Sequence, residues 1–121
     1  MKKILVVEDE AEYRTLLQRV LGGAGYVVLL APNGAEGLRL FQAEAPDLIL
    51  LDVVLPDVLG YEFCAKIRAL KGGAEIPILF CTVRSAVKSL SDGVKAGGTD
   101  YVLKPFDPAN VLARVKACLT K

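Results

Sequence analysis

The stretch from Asp47 to Asp57 places four consecutive aliphatic residues, Leu48–Leu51, between two aspartates. Such a run predicts a strand that is buried on both faces, which is typical of a parallel sheet covered by helices. Pro56 follows and prevents the strand from continuing. Ligands of open parallel sheets bind outside the carboxyl ends of the strands, so Asp52 is placed for chemistry at the end of this one. The alternative is that Asp52 only begins a turn, a common role for aspartate.

The rest of the chain repeats the pattern of a short apolar strand followed by a helix. The predicted strands are Lys3–Val7, Tyr26–Ala31, Leu48–Leu51, Ile76–Cys81 and Asp100–Leu103. Apolar residues at helical spacing predict five helices: one carrying Tyr13 to Leu21, one capped by Asn33 and ending near Ala43, one from Leu59-Gly60 to Gly72-Gly73, one capped by Ser85, and one from Asp107-Pro108. This alternation predicts a doubly wound α/β fold, a five-stranded parallel sheet flanked by five helices, as one domain over residues 1–121.

Composition excludes several classes of function. The chain has 121 residues, a net charge of +1 and no histidine. The lack of histidine excludes serine–histidine hydrolysis and the usual zinc sites. Its three cysteines (Cys64, Cys81 and Cys118) lie in apolar surroundings and are predicted to be core thiols. The small net charge gives no case for binding nucleic acid or an anionic membrane. No apolar run approaches the roughly 20 residues that cross a bilayer, and we expect a cytoplasmic protein.

Polar residues follow the apolar runs at the carboxyl ends of four predicted strands. Glu8 and Asp9 follow the first strand, Asp52 the third, Thr82 the fourth and Lys104 the fifth. Each has an ordinary explanation by itself, such as a helix first turn, a strand terminus or a solvated loop. Because the carboxyl ends of parallel strands meet at one edge of the sheet, the four placements together predict one site.

The residue types in this set indicate phosphoryl chemistry. Three carboxylates in one crevice repel each other and take up protons unless a cation lies among them. Oxygen ligands without imidazole or thiolate favour Mg²⁺, with Mn²⁺ as the alternative, over zinc. The Lys104 ammonium and the Thr82 hydroxyl suit a phosphoryl oxygen. Asp52 can act both as ligand and as nucleophile, and a carboxylate that attacks phosphorus forms an aspartyl phosphate.

These motifs resemble the receiver domain of two-component response regulators, and closely the single-domain chemotaxis-type regulators. The resemblance covers the whole chain and rests on the following segments: Val6–Glu10, Leu51-Asp52 with Pro56 and Gly60, Thr82, and Tyr101–Phe106. It implies a flavodoxin-like sheet with strand order 2-1-3-4-5. It also implies that Asp52 accepts a phosphoryl group from a sensor histidine kinase, a phosphotransfer protein or a small phosphodonor.

The resemblance assigns a role to each site residue. The implied metal ligands are Glu8, Asp9, Asp52 and the backbone carbonyl of Val54. Lys104 pairs with the acceptor and then with the phosphoryl group, and its bond to Pro105 is implied to be cis. The implied switch pair is Thr82 and Tyr101, whose hydroxyl moves toward the phosphoryl group while the ring turns inward.

The implied output surface consists of the fourth helix, the fifth strand and the fifth helix. It would control a partner protein or an attached output domain, without direct binding of nucleic acid or membrane. The predicted fourth helix suits a two-state element because Ser89, Ser91 and Gly93 are poor helix formers, glycine alone costing about 1 kcal/mol relative to alanine. A phosphoryl group adds about −1.5 to −2 charges and can bias such a helix.

Two departures from the family's pattern bear on this hypothesis. Val83 stands where the family usually has a small residue, and we expect it to limit access of water and bulky phosphodonors. Val54 and Arg84 occupy positions that flank the site and that tend to tune dephosphorylation in the family.

Three alternative functions bear on the same residues. A metal-dependent phosphohydrolase with an aspartyl nucleophile is the main alternative, but such enzymes need a second aspartate at position 54. A flavin-binding electron carrier would meet repulsion between its phosphate and Glu8–Glu10. A receiver-like scaffold that never carries phosphate is disfavoured because no member of the site is missing.

Overall fold

The computed structural model describes residues 1–83 and 97–120, in which five strands alternate with four helices. The elements are β1 (Lys3–Val7), α1 (Ala11–Gly23), β2 (Val27–Ala31), α2 (Gly34–Glu44), β3 (Leu48–Asp52), α3 (Gly60–Arg68), β4 (Ile78–Val83), β5 (Asp100–Lys104) and α4 (Pro108–Leu119). The predicted fourth helix, with its cap Ser85, lies outside the described residues, as does Arg84. The helix labelled α4 is therefore the predicted fifth helix.

The five strands form one parallel sheet in the order β2-β1-β3-β4-β5, which confirms the flavodoxin-like arrangement. The register pairs Val7 with Leu51, and Asp52 with Cys81. The carboxyl ends of β1, β3 and β4 therefore end at the same edge of the sheet. At that edge Val83 pairs with Lys104, which brings β5 to the same level.

The apolar residues of β3 explain how the two faces of the sheet are covered. Leu48 and Leu50 pack in a core with side chains of α1 and α4, whereas Ile49 and Leu51 pack in a second core with side chains of α2 and α3. All four side chains are fully buried. Burial of an aliphatic side chain of this size contributes about 1.5–3 kcal/mol, so β3 holds both helical layers on the sheet.

The predicted helix cap at Asn33 and the predicted helix start at Asp107-Pro108 are confirmed. The Asn33 side chain accepts a hydrogen bond from the Glu36 amide at 2.8 Å, and the Asp107 side chain accepts one from the Ala109 amide at 3.1 Å. Pro108 follows Asp107 at the start of α4, where its missing N–H costs no helical hydrogen bond.

Two predicted boundaries are wrong for local reasons. Helix α3 ends at Arg68 rather than at the two glycines, because the amides of Ala69 and Leu70 bond to carbonyls only three residues back. A Cβ atom added at Gly73 would collide with the Ile67 carbonyl oxygen, so glycine permits the close approach of the chain after the helix. Strand β4 begins at Ile78 rather than Ile76, since Pro77 has no N–H to donate to the sheet.

The three cysteines are buried thiols rather than disulfides, as predicted. Cys64 lies in the core under α2 and α3, and Cys81 and Cys118 lie in the core under α1 and α4. Among the described residues, no helix combines the length and the apolar character needed to cross a membrane.

Candidate functional site

The carboxyl ends of the strands surround an open cleft of about 300 Å³. Its lining includes Asp9, Asp52, Val54, Thr82, Val83 and Lys104. Within residues 1–83 and 97–120, the buried polar or charged side chains are Glu8, Asp52, Thr82 and Lys104, each less than 9% exposed. Ionisable side chains are seldom buried unless they are paired or functional, so their concentration at one edge of the sheet marks the candidate site.

The Lys104 side chain links acids that come from two neighbouring strands. Its Nζ atom lies 2.5 Å from Glu8 Oε1, 3.4 Å from Asp52 Oδ2 and 3.8 Å from Glu10 Oε1. The Lys104–Pro105 peptide bond is cis, as the resemblance implied. The structure therefore brings Lys104 together with both Glu8 and Asp52.

Backbone contacts hold the loop after β1 in place. Glu8 Oε2 accepts a hydrogen bond from the Glu10 amide at 3.0 Å. The Arg14 guanidinium donates to the carbonyls of Glu8 and Asp9 at 2.8 and 2.9 Å. This loop therefore presents its acids to the cleft from a fixed backbone.

The loop after β3 depends on a glycine at the start of α3. A Cβ atom added at Gly60 would collide with the Asp52 carbonyl oxygen and lie 2.9 Å from the Val53 Cα. The Gly60 amide donates to the Val53 carbonyl at 2.7 Å, and the Val54 amide donates to Asp52 Oδ1 at 3.3 Å. Glycine thus permits the close approach that turns the chain directly after Asp52.

Burial and mutual repulsion change the acidity of the cluster. Burial raises the pKa of Glu8 to about 7, although the Lys104 ammonium and the Glu10 amide oppose the change, and the Asp52 charge adds to it. Burial also raises the pKa of Asp52 against the opposing effect of Lys104. For Lys104, burial lowers the pKa, but contacts with Glu8 and Asp52 outweigh burial and raise it overall. The combined negative charge of the ionised acids exceeds the single positive charge of Lys104, so the cluster favours binding of a further cation.

The donor set fits a magnesium ion. Glu8, Asp9 and Glu10 each offer a carboxylate oxygen, and the three oxygens lie within 4.8 Å of one another. Glu8 Oε1 is buried, contacts the Lys104 ammonium and accepts no aligned hydrogen bond from the described residues. Carboxylate oxygens are the ligands that Mg²⁺ and Ca²⁺ prefer, and Mg²⁺ is typically held by only one or two carboxylates together with waters.

The predicted switch residues occupy two different positions. Thr82 is buried in β4 and lines the cleft, with its Oγ1 donating to the Val83 carbonyl at 3.4 Å. Tyr101 is half-buried on β5, where its ring packs against the core under α2 and α3, outside the cleft lining. The Arg114 guanidinium lies 5.3 Å from the centre of that ring.

The sequence assigned no separate site role to three residues that shape the site. Glu10 joins the acidic group, Arg14 fixes the loop backbone, and the Tyr13 ring faces Lys104. The spacing of apolar residues predicts for Tyr13 only a place on the apolar face of the first helix. One feature of the sequence does indicate a place near the site: Tyr13 lies in the first turn of a helix that begins at the strand ends.

Comparison with known proteins agrees with this site. Residues 4–116 match the family described as the response regulator receiver domain. The chain belongs to the response regulator receiver family. Members of this family are signalling proteins of two-component systems rather than conventional enzymes.

Individual relatives cover the whole of this chain. The alkaline phosphatase synthesis transcriptional regulatory protein PhoP of Bacillus subtilis is 45% identical over 120 residues, which are 99% of this chain and 49% of PhoP. The chain therefore spans about half the length of this curated relative. The structure of chemotaxis response regulator CheY4 of Vibrio cholerae has a TM-score of 0.93 and 32% identity, covering 98% of this chain and 99% of CheY4.

A third similar structure contains a metal ion. The receiver domain of sensor histidine kinase PA1611 from Pseudomonas aeruginosa has a TM-score of 0.91 and 30% identity, covering 99% of this chain and 98% of that domain. That domain was crystallised with a magnesium ion coordinated in its active site cleft.

Proposed function

We propose that this domain is a switch that is activated by phosphorylation of Asp52 with Mg²⁺ at the site, Mn²⁺ being a substitute. The observation that carries the proposal is the buried Lys104 ammonium, which lies 2.5 Å from Glu8 and 3.4 Å from Asp52 beside an open cleft. A carboxylate at the end of β3 thus lines the cleft beside a fixed positive charge. This arrangement supports nucleophilic attack by Asp52 on an incoming phosphoryl group.

The proposed reaction is transfer from a phosphohistidine of a sensor histidine kinase or phosphotransfer protein, or from a small phosphodonor. An Asp52 carboxylate oxygen forms the new bond to phosphorus, and the bond to the donor breaks with its electron pair passing to the leaving group. Glu8, Asp9, Asp52 and the Val54 carbonyl would hold the metal ion, which when bound neutralises charge on the phosphoryl oxygens. Lys104 then pairs with a phosphoryl oxygen, and water later removes the group without another enzyme.

Phosphorylation is proposed to reach the output surface through Thr82 and Tyr101. The Thr82 hydroxyl lies in the cleft with Asp52 and can donate to a phosphoryl oxygen in place of its weak contact with Val83. Movement of β4 toward the phosphoryl group makes room for the Tyr101 ring. The surface formed by residues of the predicted fourth helix, β5 and α4 then controls a partner protein or an output domain in the cytoplasm.

Mass spectrometry of the intact protein tests this proposal. After incubation with acetyl phosphate and Mg²⁺, the wild-type chain is expected to gain one phosphoryl group and the Asp52→Asn variant none. Asp57→Asn is the matched control, because Asp57 lies in the same loop and its carboxylate binds the Gly34 and Ala35 amides at 2.8 and 2.9 Å. Equal labelling of Asp52→Asn and wild type would exclude Asp52 as the acceptor.

Replacing Val83 with alanine is expected to accelerate both phosphorylation by acetyl phosphate and loss of the phosphoryl group. Val83 lines the same cleft as Asp52 and is 47% exposed, so a smaller side chain at this position widens the cleft. A steric barrier of about 1 kcal/mol corresponds to about a fivefold change in rate. Both rates can be followed by intact mass over time.

The control for Val83→Ala is Val27→Ala, since Val27 is an exposed valine on β2, away from the cleft. We expect Val27→Ala to leave both rates unchanged. Wild-type rates in Val83→Ala would show that Val83 does not limit access.

A further inference from the structure

The aromatic ring of Tyr13 contacts the same Lys104 ammonium that pairs with the acids of the cluster. Lys104 Nζ lies 4.5 Å from the centre of the ring. Tyr13 belongs to the first turn of α1 and lines the same cleft as Asp52. The ammonium therefore contacts two buried carboxylates and one aromatic face.

The ring is itself supported by the segment that carries Lys104. Phe106 follows Lys104 by two residues, and its ring packs edge-on against Tyr13 with centres 5.0 Å apart and planes at 79°. Phe106 is buried in the core under α1 and α4. One aromatic side chain of α1 thus contacts both the lysine and the chain just beyond it.

This contact has two physical consequences for Lys104. The electron-rich face of the ring attracts the ammonium, an effect that strengthens when water is excluded. The ring also covers one side of a side chain that is only 8% exposed, which strengthens the attraction of the ammonium to nearby negative charge. Both effects favour one position of the ammonium, beside Asp52.

We propose that Tyr13 is a positioning residue for Lys104, whose ring holds the ammonium where a phosphoryl group on Asp52 will need it. This proposal rests on the proposed function and extends it to a residue of α1. The ring, rather than the hydroxyl, carries the role, because it is the ring centre that faces Nζ. The competing explanation is that Tyr13 only fills space against the core under α1 and α4.

The test compares Tyr13→Leu, which removes the ring, with Tyr13→Phe, which keeps it. A cation–π contact of about 0.5–2 kcal/mol corresponds to about a 2- to 30-fold effect. We expect Tyr13→Leu to slow phosphorylation by acetyl phosphate within that range at saturating Mg²⁺, with the Mg²⁺ dissociation constant unchanged. Tyr13→Phe should retain the wild-type rate.

Tyr26→Leu is the matched control, since Tyr26 packs against the same core and shows no such contact with Lys104. We expect it to retain the wild-type rate. If Tyr13→Leu does not fold, Tyr13→Met fills a similar volume without a ring and takes its place. A wild-type rate in the ring-less variant, or equal slowing by Tyr13→Phe, overturns the proposal.

Nuclear magnetic resonance of protein with isotopically labelled lysine gives a readout that does not depend on phosphorylation. In the wild type, the ring should shift the Lys104 ε-methylene protons upfield of those of the other lysines. Tyr13→Leu should abolish this shift, and Tyr13→Phe should preserve it. If the wild type shows the shift but takes up no phosphoryl group, the proposed function is wrong, and the role of Tyr13 in phosphoryl transfer is wrong with it. If the wild type does not show the shift, the positioning proposal alone is overturned.

Discussion

Replacing Lys104 with methionine is expected to lower the free energy of unfolding by about 3–5 kcal/mol in metal-free protein, because it leaves buried acids without their counter-charge. Glu8 and Asp52 are 2% and 8% exposed, and Lys104 is the cation between them. Methionine keeps the length and apolar stem of the side chain and removes only the charge. Urea denaturation in the presence of a chelator measures the effect.

Two comparisons separate the charge from other effects of the substitution. Lys116→Met removes an exposed lysine from the last turn of α4 and should change stability by less than about 0.5 kcal/mol. Adding Glu8→Gln to Lys104→Met should recover part of the loss, since one uncompensated carboxylate is gone. Equal stability of Lys104→Met and wild type without metal would contradict the electrostatic account of the site.

Metal-free protein is also expected to lose stability as the pH rises from about 4.5 to about 7. Burial raises the pKa of Glu8 from 4.5 to about 7, so across this interval the folded state holds a proton that the unfolded state has released. Stability falls with pH wherever the folded state binds more protons. Each pKa unit corresponds to about 1.4 kcal/mol, so the expected loss is on the order of 2–3 kcal/mol.

The other carboxylates whose pKa values are shifted do not reverse this trend within the interval. The pKa of Asp52 is also raised by burial, which acts in the same direction. The pKa of Glu36 is lowered by its contact with Arg39, and the pKa of Asp57 is lowered by the Gly34 amide. The stability that these two acids contribute is therefore lost only at more acidic pH. The measurement is the urea midpoint at a series of pH values in the presence of a chelator.

The Glu8→Gln variant is the control for the pH dependence. It cannot titrate at this position, and we expect its stability to vary less between pH 4.5 and 7. Saturating Mg²⁺ should also flatten the wild-type profile, because a bound cation favours the ionised carboxylates. The same pH slope for wild type and Glu8→Gln would show that Glu8 does not carry the effect.

The sequence predicted the fold well because local signals and burial agree along most of the chain. The side chains of Leu48–Leu51 are all buried only when helices cover both faces of the strand, and both helical layers are present. Asn33 and Asp107 cap helices as their residue types predict. The strand order followed from the resemblance rather than from periodicity, because apolar spacing contains no information about which strands are neighbours.

The cluster of Glu8, Asp52, Thr82 and Lys104 was also predictable, since parallel strands bring their carboxyl ends to one edge. What could not be predicted is which side chains meet there. Tyr13 fits an apolar helix face by spacing, and only the approach of β5 to α1 places its ring over Lys104. The same limit applies to the end of α3, which falls at Arg68, before the two glycines, where the Ala69 and Leu70 amides bond to carbonyls three residues back.

The proposed switch requires that acids at the ends of β1 and β3 share a cation with which Asp52 captures a phosphoryl group. The most direct test is to map the phosphorylated peptide after treatment with acetyl phosphate, with Mg²⁺ or with a chelator. The account predicts one phosphoryl group on the peptide that contains Asp52, formed only when Mg²⁺ is present. Labelling at another residue, or equal labelling of Asp52 in the chelator, would contradict it.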